Sequence, residues 1–226
     1  WPFMVITKSY GNRINMSRVL GAIILVFSVE FSWAKEVTIA ALGDSLVQGY
    51  GLSIDGGFVP QLEAWLIDQG EEVTIINAGV SGDTTAGGLS RAAWTLSPNV
   101  NAIIVALGGN DLLRGIDPAT SRANLAGILQ QARDVKIPVL LIGMVAPNNY
   151  GTEYKKVFDV IYPELAFEYD VLYLDSFFSG LGGPGLDPAQ IRQFLQADGI
   201  HPNAIGVTRI VEAIGPYVID LISEIK

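Results

Sequence analysis

Short, unbroken apolar runs alternate along this chain with stretches whose apolar positions recur every three or four residues. The runs at 37–42, 72–76, 101–107, 137–143 and 171–175 are rich in Val, Ile and Leu. They read as strands buried on both faces, not as the in-out alternation of a half-solvated sheet. Between them, Phe58, Leu62, Trp65 and Leu66 share one helical face, with Pro60 in the first turn and Gly70 after the last. Thr84 or Thr85 caps a second helix, which runs to about Leu96 and is closed by 97–99. Asp117-Pro118 opens a third, carrying Leu125, Ile128, Leu129 and Ala132. Another is expected through Phe158, Ile161 and Leu165, a short one over 189–195, and a terminal one over 203–225, interrupted or kinked near Gly215-Pro216.

Strands alternating with helices give the α/β class: a three-layer αβα sandwich around a five-stranded parallel sheet, in the flavodoxin-like order 2-1-3-4-5. At 226 residues, half of them hydrophobic, the chain fills one core. The fold is assigned to 35–226. Upstream, Met16-Ser17-Arg18, the apolar run 19–29, and small residues at Ser32 and Ala34 match a secretory signal cleaved after Ala34, with 1–15 as an extension. The apolar run falls short of the roughly 20 residues that span a bilayer, so a retained anchor is the weaker alternative. The mature protein is therefore expected outside the cytoplasm, in a periplasm or secreted, without stable membrane insertion. The chain contains no cysteine, which removes disulfides and thiolate chemistry. A formal charge of -9 without a Lys/Arg cluster disfavours nucleic acid as a partner. The adjacent Lys155-Lys156 reads as a solvated helix face.

Candidate chemistry gathers in four loops. Gly43-Asp44-Ser45 follows the first strand, Asn77-Ala78-Gly79 the second and Gly108-Gly109-Asn110 the third, so the expected order brings them to one edge. The fourth, Asp198-Gly-Ile-His201-Pro202, holds the only histidine in the chain. If serine–histidine chemistry operates, the base has no alternative. Ser45 is then the nucleophile, His201 the general base and Asp198 the residue that orients the imidazole. Acyl transfer also needs donors for an oxyanion: the Ser45 N–H, the Gly79 N–H and the Asn110 side-chain amide. Asp44, Asp83 and Asp111 read as loop braces, and Ser81 is a rival nucleophile without the strand context of Ser45. The carboxylate spacings suit no metal, and neither metal nor organic cofactor is expected. G-x-S-x-G, H-E-x-x-H and Walker A patterns are absent.

These four blocks, Gly43-Asp44-Ser45-Leu46, Gly79 within Asn-Ala-Gly-Val-Ser-Gly-Asp, Asn110 in Gly-Gly-Asn-Asp, and Asp198-x-x-His201-Pro202, resemble the SGNH, or GDSL, hydrolases. Gly49-Tyr50-Gly51, Ser81-Gly82-Asp83-Thr84 and Leu112-Leu-Arg114-Gly115 are similar to its bacterial periplasmic thioesterase, lysophospholipase and arylesterase subgroup. The resemblance implies a triad of Ser45, Asp198 and His201 and an oxyanion hole of Ser45, Gly79 and Asn110. It implies a serine esterase for small-molecule or lipid esters with short to medium acyl or aryl groups, extending to thioesters and lysophospholipids. Pro147 and Tyr150, in the loop 146–151 after the fourth strand, are candidate substrate contacts, and 177–186 after the fifth strand is a second candidate wall. The rivals are a polysaccharide deacetylase or acyltransferase of the same family and a non-catalytic binding module on the same fold.

Overall fold

The computed structural model describes residues 1–4, 37–182 and 188–225. The chain divides into two units, Trp1–Trp33 and Ala34–Lys226, and the architecture below is that of the second. The expected signal segment 16–34, residues 5–15 of the extension before it, and the stretch 183–186 of the second candidate wall lie outside the described residues.

Strands β1 (Val37–Gly43), β2 (Val73–Gly79), β3 (Ala102–Ala106), β4 (Val139–Ile142) and β5 (Leu172–Leu174) form one parallel sheet. Its order is β2-β1-β3-β4-β5, as the alternation of patterns predicts. Ile39 through Leu42 and Ala102 through Ala106 are wholly buried, which explains why these runs are apolar at every position. The edge strand β2 differs. Val73 and Ile75 are buried, whereas Thr74 and Ile76 are exposed, because only one of its faces is covered. Register sets Gly43 beside both Gly79 and Ala106, so β2, β1 and β3 end level.

The helices are α1 (Ser45–Gln48), α2 (Phe58–Asp68), α3 (Thr85–Thr95), α4 (Gly109–Arg114), α5 (Pro118–Asp134), α6 (Thr152–Asp159), α7 (Ile161–Tyr169), α8 (Pro188–Arg192) and α9 (Ala204–Ser223). Helix α2 packs on α9, and α3 on α5, which also meets α7. Two of the expected loops are helical: Ser45 opens α1, and Asn110 lies in the first turn of α4. Both helices are too short to carry a readable period. The single helix expected through Phe158, Ile161 and Leu165 is two, since Pro163 has no N–H to return to the carbonyl four residues back. In contrast, α9 runs on through Pro216. Gly215 there lies so close to the Trp65 ring of α2 that a Cβ would enter it, and this packing holds the helix across its missing bond.

Asp111 ties the layers beneath the site. Its side chain is fully buried and accepts from the Thr85 N–H at 2.8 Å, the Thr85 hydroxyl at 2.6 Å and the Ser121 hydroxyl at 2.8 Å. Three tyrosines fix the ends of α4 from the other side. Tyr162 donates to the carbonyl of Leu107, Tyr150 to that of Leu113 and Tyr154 to that of Ile116. Replacing Asp111 by Ala orphans three buried donors and should destabilise the protein by about 3 kcal/mol or more, measured by urea unfolding. A loss below about 1 kcal/mol would mean that water satisfies those donors.

Candidate active site

The site grows out of the point where β1 turns into α1. Asp44 caps the helix, its Oδ1 accepting from the Leu46 N–H at 3.0 Å. This leaves Ser45 as the first helical residue, with its side chain at the carboxyl edge of the sheet. The histidine loop is clipped into place from several directions. An antiparallel bridge joins Leu195 and Pro202, and the Gln196 N–H donates to the His201 carbonyl at 2.8 Å. The Gln196 side-chain amide donates both to the Tyr50 carbonyl, at 2.8 Å, and to the Pro202 carbonyl, at 3.0 Å. One residue thus couples the exit of α1 to the loop that carries His201. Tyr50 also lays its ring beside the imidazole, with centroids 4.7 Å apart.

Ser45 Oγ stands 2.9 Å from His201 Nε2, and His201 Nδ1 stands 2.7 Å from Asp198 Oδ2. The other carboxylate oxygen, Oδ1, accepts from the backbone N–H groups of Ile200 and His201. The imidazole contact, followed by these two backbone bonds, lowers the Asp198 pKa to about 2. An ionised carboxylate only accepts, so Nδ1 must carry the proton and Nε2 is left to receive that of Ser45. The three sequence-nominated groups therefore stand in relay.

Of the expected oxyanion donors, Asn110 faces the cleft, and its Nδ2 donates one hydrogen to Asp44 Oδ2 at 3.2 Å. The Ser45 N–H, at the first turn of α1, is not engaged by another protein group among the described residues. Gly79 requires correction. Its N–H is spent on Asn77 Oδ1 at 3.0 Å, and it does not line the cleft. It is a glycine because a Cβ would collide with the backbone of Val47 and Gln48, so its role is to let α1 pack on the end of β2. Three residues on, Gly82 (φ 82°) lines the cleft and has an N–H free of protein partners among the described residues. The Arg114 guanidinium holds its carbonyl at 2.8 Å. The sequence offers two glycines in one loop, and only the route of the Asn77 side chain separates them.

Sequence reasoning also passed over Arg91 on α3. Its Nε pairs with Asp83 Oδ2 at 2.7 Å, Nη1 donates to the Ala78 carbonyl at 2.6 Å and Nη2 to the Gly43 carbonyl at 2.8 Å. The ends of β1 and β2 and the Gly82 loop are thereby fixed to one planar group. No sequence signal marks it, since its partners lie in three separate segments.

The triad opens on a cavity of about 820 Å³ that crosses the ends of the sheet, walled by Leu112, Met144, Val145, Pro147, Phe178 and Ile200 among others. The lining is mainly apolar, as an acyl or aryl group requires. Pro147 lies in this wall as expected. Tyr150 does not: its hydroxyl reaches the Leu113 carbonyl at 3.3 Å and its ring packs on Gly115 and Tyr154, so it braces α4 instead of touching the cleft. Among the described residues no group of three or more His, Asp or Glu side chains is arranged to hold a metal ion.

Asp44 is almost wholly buried, and burial pushes its pKa from 3.8 up to about 6 despite the opposing bonds from Leu46 and Asn110. A carboxyl whose folded pKa is raised stabilises fully below its unfolded pKa, and that contribution is lost as pH rises through the folded value. Relative to wild type, Asp44→Asn should therefore gain up to about 3 kcal/mol between about pH 4 and pH 6 and no more above it. Unfolding of both proteins across that range checks this; a constant difference would assign Asp44 an ordinary pKa.

Comparison with known proteins agrees with this geometry. The model of the GDSL-like lipase/acylhydrolase family matches residues 41–209. An esterase, TesA, of Pseudomonas aeruginosa is 36% identical over 197 residues, covering 87% of this chain and 94% of that protein. A thioesterase 1/protease 1/lysophospholipase L1 of Escherichia coli K12 is 38% identical over 175 residues, covering 76% of this chain and 79% of that protein. Among solved structures, the SGNH-hydrolase family esterase AlinE4 superposes with a TM-score of 0.67 at 43% identity, over 84% of this chain and 98% of the other. Matching sequence over this length, the same parallel sheet and a serine hydrolase relay at its edge lead to one conclusion: the chain belongs to the GDSL-like lipase/acylhydrolase, or SGNH hydrolase, family and acts on ester bonds.

Proposed function

We propose that the protein is a serine esterase that cleaves short- to medium-chain acyl or aryl esters through an acyl-enzyme at Ser45. The observation that carries this is the unbroken relay Ser45–His201–Asp198, at 2.9 and 2.7 Å, opening directly on the apolar cleft. Ser45 Oγ attacks the ester carbonyl carbon while its proton passes to His201 Nε2. The carbonyl π pair moves onto oxygen, where the N–H groups of Ser45 and Gly82 and the second Asn110 amide hydrogen receive the charge. Collapse expels the alcohol, which takes the proton from His201. Water then repeats the sequence on the acyl-enzyme, releasing the acid and restoring Ser45. Asp198, held ionised, stabilises the imidazolium in both halves. The printed names of the relatives, thioesterase and lysophospholipase among them, support extending the substrates to thioesters and single-chain lysophospholipids, whose acyl chains an apolar cleft suits.

Within this proposal the catalytic domain is 35–226, and 1–34 is an extension and signal that exports it to the periplasm or beyond. Among the described residues no helix is long and apolar enough to cross a membrane.

The test is hydrolysis of p-nitrophenyl acetate, butyrate, octanoate and palmitate. Ser45→Ala and His201→Ala should each lower kcat by roughly 10⁴–10⁶, and Asn110→Ala by about 10²–10³. A fluorophosphonate probe should add its mass to wild type and not to Ser45→Ala. Activity or labelling that survives in Ser45→Ala would move the nucleophile elsewhere.

A further inference from the structure

The part of the cleft wall that follows β4 has almost no hydrogen bonds of its own. Among the described residues, the backbone from Met144 to Pro147 is held by hydrogen bonds at Ala146 alone. The Ala146 N–H donates to Asp159 Oδ1 at 2.8 Å, and its carbonyl accepts from Lys155 Nζ at 2.6 Å. Pro147 has no N–H to add. The two partners lie one turn apart on α6 and pair with each other, Lys155 Nζ to Asp159 Oδ2, at 2.7 Å. Lys156 is exposed as the sequence suggests, but Lys155 is turned inward and is not part of a solvated face.

The placement gives this pair leverage. Ala146 is itself buried, while Val145 before it and Pro147 after it both line the cleft. An ionised pair gripping both polar groups of the intervening residue fixes two wall positions at once, through charge-assisted bonds about twice as strong as neutral ones. We infer that the Lys155–Asp159 pair sets acyl-chain selectivity: by pinning Ala146 it holds Val145 and Pro147 as one side of the acyl slot, without touching the substrate. The inference rests on reading the cleft as the acyl site. On that reading a short acyl group stays beside Ser45, whereas a longer one extends along the lining that Val145 and Pro147 share with it. Misplacing the wall therefore penalises long chains more than short ones.

The measurement is the ratio of kcat/KM for p-nitrophenyl octanoate to that for the acetate, in wild type, Lys155→Met, Asp159→Ala and Lys155→Arg, with the thermal midpoint of each. Lys155→Met and Asp159→Ala should lower the ratio about tenfold, the scale of a lost methylene contact. The change should come mainly from a raised KM for octanoate. Lys155→Arg keeps a donor cation and should retain most of the wild-type ratio. An unchanged ratio in both disrupting variants, whatever their midpoints, would reduce the pair to a stabilising contact and overturn the inference. An equal loss on both esters would do the same. A folded wild type inactive on every ester would instead remove the esterase reading, and the inference with it.

Discussion

Parallel strands that end level, as β1 and β2 do, bring their terminal carbonyls to one edge of the sheet, where the site must also be built. Arg91 meets this constraint with a single buried-edge guanidinium, which takes the carbonyls of Gly43 and Ala78 and the carboxylate of Asp83. Gly43 leads into Asp44-Ser45, and Asp83 follows Gly82. Ser45 and the cleft-facing N–H of Gly82 therefore hang from the same rigid fork, whose planar geometry a lysine cannot copy. On the far side of Ser45, Asp44 links the same turn to Asn110. These groups are held by bonds made before any substrate arrives, the kind of preorganisation on which electrostatic catalysis draws.

Two aspartates near the reaction centre are driven in opposite directions by their surroundings. Asp198 sits near the surface, receives three hydrogen bonds and stays ionised down to about pH 2. Asp44 is sealed beneath Ser45 and holds a proton up to about pH 6. Both lie close to one imidazole, yet only the solvated carboxylate touches it. The division follows a general pattern in which burial, not residue type, decides which carboxyl carries charge during turnover.

Much of this was legible in the sequence, for identifiable reasons. The parallel sheet follows from apolar runs alternating with helical periods, and its order from right-handed crossovers between them; that β2 is covered on one face only does not show in its run. That Ser45, Asn110, Asp198 and His201 meet at one cleft was legible because each sits in a short local pattern and the histidine has no competitor. Side-chain traffic between distant segments was not. Asn77 consumes the Gly79 N–H and leaves Gly82 as the glycine whose N–H is free at the cleft; Tyr150 turns to the Leu113 carbonyl and away from the cleft. Gln196 reaches Tyr50 across most of the folded domain's sequence, and nothing local distinguishes it from any surface glutamine. The short helices α1 and α4 escaped because a turn or two carries no periodicity.

The solitary His201 has a further consequence. Any imidazole resonance of this protein originates at a nitrogen pair bridging Ser45 and Asp198, so no assignment is needed to know where it comes from. The Ser45–His201–Asp198 cluster thus carries its own magnetic label, through which inhibitor occupancy and proton position can be followed without substitution, against a background free of other histidines.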